Sequence, residues 1–339
     1  MGLCRGWGLI FLLAVVAQAA APRIELVWPT PNTAYFEGKP LDAYVQPTAS
    51  GEAESGMFGC ARSAGRQYHE GLDLKPISRN RQGEPTDSIF AAMPGVVSYI
   101  NQRVGESSYG RYIVIEHPEA HPAVYTLYAH LSATAPGLKA GVPVAAGQVI
   151  ATMGHTADKG GIPKDRAHLH FEIGVMVTRE FQSWYDRKGF GSANIHGLYN
   201  GMNLMGVEAL DFYNQFRARR VDGFQAYFAQ MPVVARVRIA TRKVPDFVLR
   251  YPELLTKEIP MAGVAGWEIK VNWTGLPVSW TPLDAMEVIG MRPNDVRLSG
   301  VDAETLRRFR CKSIVVTRRG IQSPGKDLET VLQQLFGLR

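Results

Sequence analysis

Between Tyr68 and Val177 the chain is cut into short apolar, β-branched runs by turns that carry glycine. The runs Gly95 to Ile100, Tyr112 to Glu116 and Val124 to Tyr128 have the length and composition of strands, as do Gln148 to Ala151 and His168 to Ile173. Pro94-Gly95, Pro136-Gly137 and Ala146-Gly147 mark turns between them. No segment of this stretch repeats its apolar residues at helical spacing. The prediction is a mainly β fold over residues 68–178, an antiparallel sheet closed or stacked as a barrel or sandwich.

The flanks read differently. Residues 22–67 are rich in Pro, Gly, Ser and Thr and predict an extended lead-in with one short strand near Ile24 to Val27. After Arg179 the pattern is mixed. Phe181 to Asn203, rich in Gly, Asn and aromatics, predicts a long ordered loop. Val207, Leu210 and Phe216, with Phe212 and Tyr213 between, predict an amphipathic helix ending in basic residues Arg217 to Arg220, which suit the helix dipole. Val233 to Ile239 and Trp267 to Trp273 alternate like half-buried strands, and Leu328, Val331, Leu332 and Leu335 sit at helical spacing. Residues 179–339 thus predict an additional α+β region, without internal repeats.

At 339 residues, 46% hydrophobic and 20% charged, the chain can bury a real core, which argues against long disordered segments. The net charge of +6 favours an anionic partner such as nucleic acid, anionic lipid or cell-wall polymer. No run of Lys and Arg interleaved with aromatics stands out, so no nucleic-acid partner is expected. Arg5, the apolar stretch Gly6 to Ala17, and the small-residue sites Ala17-Gln18-Ala19 and Ala19-Ala20-Ala21 read as an export signal over residues 1–21. An uncleaved anchor is the competing reading, but the apolar stretch is well short of the roughly 20 residues that span a bilayer. The expectation is a protein exported to the periplasm, cell envelope or medium, with no membrane span once the signal is removed. Nothing in the sequence bears on oligomeric state.

Eight histidines are available for chemistry. His69 and Asp73 place a nitrogen and an oxygen ligand four residues apart, with Gly71 between them favouring a tight loop. In a strand, His168 and His170 share one face while Leu169 and Phe171 share the other. Two imidazoles side by side on a strand suit a metal or a reaction, and equally a solvated surface strand. His130 ends a strand run, where a side chain can reach a cleft, though taken alone it reads rather as a satisfied core or rim histidine. His155 lies in a Gly-rich loop and reads as solvated, with lining of the groove as the alternative. His117, His121 and His196 adjoin Pro or Gly and read as surface residues.

Taken in order, His69-x-x-x-Asp73, Tyr128-Ala129-His130-Leu131, the run Lys139 to Ile150 and His168-Leu169-His170-Phe171-Glu172 resemble the lysostaphin-type (LytM-like) zinc endopeptidases. The resemblance covers about a third of the chain. It implies an antiparallel sheet whose concave face is the active-site groove, and one zinc ion per chain held by His69, Asp73 and His170. It implies catalytic roles for His130 and His168, with the peptide part of peptidoglycan as substrate. Three protein ligands leave zinc an open position for water. A histidine beside it can take the water's proton and pass it to the leaving amine, and the other can stabilise the oxyanion. A non-catalytic wall-binding or hydrolase-activating member of the same fold is the alternative, though such proteins usually lack some ligands.

The chain departs from the family pattern at an insertion, Lys75 to Thr86, at a long loop, Gly154 to Ala167, and in everything after Arg179. Export leaves two cysteines. Cys60 is expected to pair with Cys311 in an oxidising compartment. The alternatives are a buried thiol, or a Cys60 thiolate that blocks the metal from nine residues before His69.

Overall fold

The computed structural model describes residues 23–338, so the predicted export signal lies outside the described residues. The first eleven strands are β1 (Gly59–Arg62), β2 (Gln67–His69), β3 (Leu72–Leu74), β4 (Ser88–Phe90), β5 (Gly95–Asn101), β6 (Tyr112–His117), β7 (Val124–Ala129), β8 (Leu131–Thr134), β9 (Pro143–Val144), β10 (Val149–Met153) and β11 (Leu169–Met176). The five runs read from the sequence are β5, β6, β7, β10 and β11. With β12 (Leu204–Val207) the central sheet runs β12-β11-β7-β6-β5-β9, and β3 lies beside the start of β11. Every pairing in it is antiparallel. A three-stranded sheet, β4-β10-β8, and the hairpin β1-β2 accompany it. The fold is mainly antiparallel β, and no closed barrel forms among the described residues.

Strand alternation sets what each face of the central sheet carries. On β11, Leu169, Phe171, Ile173 and Val175 enter the main apolar core, where Ile113, Ile115 and Tyr128 from β6 and β7 meet them. The other face holds His170 and Glu172, flanked by Tyr125, Leu127 and Ala129. A one-residue slip of β11 would send the histidine and the glutamate into the core and Phe171 out of it. Burying one such apolar side chain is worth about 1.5–3 kcal/mol, and an unpaired polar group in its place adds a penalty of similar size. The register is therefore strongly specified.

His117, read from the sequence as a surface residue, is buried on the core face at the end of β6. Its Nδ1–H donates to the Pro94 carbonyl at 2.8 Å, and Nε2 accepts from the Thr126 hydroxyl at 2.8 Å. Burial pulls its pKa down to about 4, against the opposing bond to Pro94. An unfolded histidine titrates near 6.5. The neutral side chain therefore contributes stability that is complete above pH ~6.5 and falls away as pH drops towards about 4, by up to about 3 kcal/mol. Urea melts of wild type and His117→Gln should show a stability gap that narrows over this range. A gap independent of pH would contradict the assignment.

The lead-in is not merely extended. Trp28, Tyr35, Tyr44 and Val45 are buried, and the Trp28 ring stacks on Tyr35 at 4.6 Å and meets Tyr213 edge-on at 5.0 Å. The strand expected near Ile24 to Val27 does not form. Backbone bonds Val27–Ala92 and Phe90–Pro29 tie the segment to the end of β4, but Pro29 and Pro31 remove the donors through which a ladder would continue.

Beyond β11 the expected loop from Phe181 begins with helix α1 (Phe181–Lys188), which buries Phe181, Trp184 and Tyr185. Two turns are too short to show a helical period in sequence. There follow α2 (Ala209–Arg217), α3 (Phe224–Gln230), β13 (Ala235–Ile239), α4 (Asp246–Arg250), β14 (Gly266–Val271), β15 (Pro277–Leu283), β16 (Val296–Ser299), α5 (Ala303–Arg308), β17 (Val315–Arg318), β18 (Ile321–Pro324) and α6 (Lys326–Phe336). The helices read near Leu210 and Leu332 are α2 and α6, and the two alternating strands are β13 and β14. A four-stranded sheet, β15-β14-β13-β16, sets Trp267 edge-on to Trp280, which packs against Phe247 and Phe336. The main core is continuous from the central sheet into these elements. Cys60 on β1 is joined to Cys311 after α5, so its thiolate is not available to a metal. Among the described residues no helix is long and apolar enough to cross a membrane.

Candidate metal centre and catalytic cleft

Three strands bring their chemistry to one point. β2 ends in His69, β3 carries Asp73, and β11 carries His170 directly opposite Asp73, with Ala129 of β7 on its other side. All three side chains are buried. Gly71 makes the close approach possible. A Cβ there would lie 2.5 Å from the Phe171 carbonyl oxygen, 2.9 Å from His170 Cε1 and 3.0 Å from Glu172 Cγ. Gly71→Ala is expected to destabilise the protein by about 1–3 kcal/mol through this overpacking and to weaken metal binding. A thermal melt and a metal titration beside wild type check this, and an unshifted melt with unchanged affinity would contradict it.

Hydrogen bonds fix which atom each residue presents. The Met57 carbonyl can only accept, so His69 donates Nδ1–H to it at 2.8 Å and keeps its lone pair on Nε2. His170 donates Nε2–H to Glu172 Oε1 at 2.9 Å and keeps its lone pair on Nδ1. Arg62 Nη2 holds Asp73 Oδ2 at 2.7 Å, leaving Oδ1 free. The three remaining acceptor atoms stand close together: Oδ1 is 3.2 Å from His69 Nε2 and 3.0 Å from His170 Nδ1, and the two nitrogens are 3.0 Å apart. Three lone pairs at this spacing call for a cation between them, and this nitrogen–oxygen set can hold a metal ion.

The electrostatics agree. Burial would raise the Asp73 pKa, but the imidazoles of His168, His69 and His170 packed around it hold it well below the ordinary carboxylate range. Burial pulls His170 down, and Asp73 and Glu172 push it up to about 9. Both effects favour positive charge at this point.

Two further histidines face the same place. His168, just before β11, donates Nδ1–H to the Arg166 carbonyl at 2.7 Å. Its Nε2 is buried without a hydrogen-bond partner and lies 3.4 Å from Asp73 Oδ1. His130, between β7 and β8, donates Nδ1–H to the Thr156 carbonyl at 2.7 Å, and its ring centre is 4.8 Å from that of His168. It sits at φ 64°, a left-handed conformation that non-glycine residues adopt mainly where surrounding structure enforces it. Burial lowers both imidazole pKa values, reinforced for His130 by His168 and His170 and opposed for His168 by Asp73. Both are thus neutral bases with Nε2 lone pairs.

This constellation is chemically suited to metal-assisted hydrolysis. Residues 67–181 match peptidase family M23. The matched segment is about a third of the chain. Solved structures similar to it include the catalytic domain of the prophage-encoded M23 protein EnpA from Enterococcus faecalis, at 21% identity, covering 38% of this chain and 79% of that one, TM-score 0.27. The catalytic domain of lysostaphin from Staphylococcus simulans is similar at 22% identity, covering 39% and 81%, TM-score 0.26. A zinc-containing peptidase from Vibrio cholerae is similar at 22% identity, covering 44% of this chain but only 33% of that one, TM-score 0.24. No curated protein matches the chain.

The M23 segment holds all five residues singled out in the sequence, and the fold brings them together. It adds some that sequence reasoning missed. Glu172, which orients His170, is itself held by hydroxyls of Tyr109 at 2.6 Å and Tyr125 at 2.7 Å. Partners of this kind fix ligand orientation and typically change metal affinity by about 10–100-fold when lost. Glu172 shares a strand face with His170, so the period of two was a usable signal. Arg62 and Tyr109 come from other segments and left none.

The insertion after Asp73 and the loop before His168 also meet. Glu84 contacts Lys164 Nζ at 2.5 Å and His155 Nε2 at 3.0 Å, and Arg79 donates to the Lys164 carbonyl at 2.6 Å. His155 is half-buried at this junction and does not enter the metal cluster. His196, expected at the surface, is buried, with Nδ1 accepting from Tyr99 and Nε2–H donating to the Glu106 carbonyl.

Proposed function

We propose that this chain is an exported zinc-dependent endopeptidase that hydrolyses peptide bonds in the stem or cross-link peptides of peptidoglycan. The observation that carries the reading is the convergence of three lone-pair ligand atoms beside two histidines whose Nε2 atoms are free bases. In this reading one zinc ion is held by His69 Nε2, Asp73 Oδ1 and His170 Nδ1. Zinc supplies Lewis acidity, polarising the scissile carbonyl and making water a nucleophile near neutral pH.

The chain's own residues do the rest. Arg62 and Glu172 keep the ligands aimed, and the Met57 carbonyl fixes the His69 tautomer. His168 and His130, both neutral, each accept a hydrogen bond at Nε2 from the attacking water and so orient it. His168, next to the ligand set, takes the water's proton. Its imidazolium then protonates the leaving amine, which becomes neutral as the carbon–nitrogen bond breaks. In the tautomers that their carbonyl partners call for, both histidines accept at Nε2, so neither donates to an oxyanion until it has taken a proton.

The test is a digest of purified peptidoglycan with and without a chelator, following newly exposed amines. Chelator-sensitive release that returns with added zinc is expected. Zinc-loaded protein that releases none would leave a wall-binding or hydrolase-activating role as the better account.

A further inference from the structure

A second compartment of ≈ 710 Å³ adjoins the metal centre. Tyr68 and Glu70, on either side of His69, line it, and so does Tyr109, whose ring is 5.5 Å from that of His170. Its other wall lies outside the M23 match: Trp184 of α1, Lys312 after the disulfide, and Asp327 and Gln334 of α6. Cavities of this size with aromatic walls and a few placed polar groups are the usual form of ligand sites.

Two half-buried charges in it are unspent, and exposed Lys188 at its edge also forms no ion pair among the described residues. Glu70 is half-buried, and among the described residues it forms no ion pair within 4.0 Å. Lys312 is half-buried too. Its Nζ lies 3.9 Å over the Tyr68 ring and has no carboxylate within 4.0 Å among the described residues. Asp327 is engaged elsewhere, accepting the Ser313 backbone N–H at 2.6 Å. Opposite charges in one small compartment that served only the fold would be expected to pair, because a half-buried charge without a partner is costly.

The backbone on both sides of Lys312 is pinned. Cys311 is tied to Cys60 on β1, in the hairpin that ends at His69, and Ser313 is tied to α6 through Asp327. The lysine is therefore presented in place before any ligand arrives, which lowers the ordering cost of binding.

We propose that this compartment binds a peptide carrying both a free carboxylate and a free ammonium group, the carboxylate on Lys312 and the ammonium on Glu70, with Tyr109 and Trp184 covering the stem between them. The proposal deepens the peptidase reading, on which it rests, by naming what the substrate carries beyond the bond to be cut. It gives the C-terminal residues a role in substrate choice.

The probe is a synthetic N-acetylated tetrapeptide with one lysine and a free C-terminal carboxylate, beside its C-amide and its Nε-acetyl-lysine analogue. Calorimetric titrations use the full zinc-loaded chain carrying His168→Ala, so that cleavage does not consume the peptide. Amidation and side-chain acetylation are each expected to weaken binding about tenfold, the loss of one charge-assisted contact. Lys312→Gln should weaken the parent peptide similarly and abolish the effect of amidation. Glu70→Gln should abolish the effect of acetylation. Lys312→Arg should keep the discrimination, which separates charge from packing. Equal binding of all three peptides, no binding of any, or discrimination that survives Lys312→Gln and Glu70→Gln would overturn the proposal. Failure of the peptidase reading shows elsewhere, as intact discrimination in a chain whose wild type cuts no peptidoglycan.

Discussion

Replacing His170 by alanine is expected to strip the protein of its metal and reduce peptide cleavage by more than about 10³-fold. The loss exceeds that of one ligand atom. The His170 ring is packed between Asp73 Oδ1 at 3.0 Å and Glu172 Oε1 at 2.9 Å, so its removal leaves two buried carboxylates facing a gap. Losing an outer partner alone typically costs about 10–100-fold in metal affinity, so losing a ligand should cost more. Glu172→Gln supplies the graded comparison, with weaker binding but a site still formed. Zinc per chain by elemental analysis and kcat/KM on peptidoglycan peptides read both effects. A His170→Ala protein with full zinc and full activity would remove this residue from the metal site.

His168→Ala, two residues earlier on the same face, should behave in the opposite way towards metal. Zinc content is expected to stay near wild type, because His168 lies at the margin of the ligand set, its Nε2 3.4 Å from Asp73 Oδ1. The turnover number is expected to fall about 10²–10⁴-fold, the usual contribution of a positioned general base, with KM little changed. His130→Ala should fall in the same direction. The double variant should lose little more than the worse single one, since the two imidazoles orient one water as a unit. Loss of zinc from His168→Ala, or an unchanged turnover number, would contradict the division of labour between the two histidines of the triplet.

The geometry behind this proposed division was only half legible in the sequence. A period of two puts His168 and His170 on one face, and Leu169 and Phe171 on the other, and the sheet keeps both faces as read. Gly71 signalled a tight turn, and the reason for it is the backbone of Phe171 lying where a side chain would go. What the period could not tell is which nitrogen each ring presents. That depends on carbonyls of Met57, Arg166 and Thr156, which reach the site from three different segments. His117 misled because its neighbour Pro118 suggested a surface turn, whereas the strand runs through His117 and buries it. Helix α1 and the packing of Trp28 on Tyr213 depend on distant partners, and local pattern carries no trace of those.

The most direct measurement of the central claim is mass spectrometry of muropeptides released by the purified chain in three states: zinc-loaded, chelated, and chelated then returned to zinc. The account predicts products cut at a peptide bond in the first and third states and none in the second. Cleavage that persists in the chelated protein, with zinc shown to be absent, would contradict a metal-dependent peptidase built on His69, Asp73 and His170.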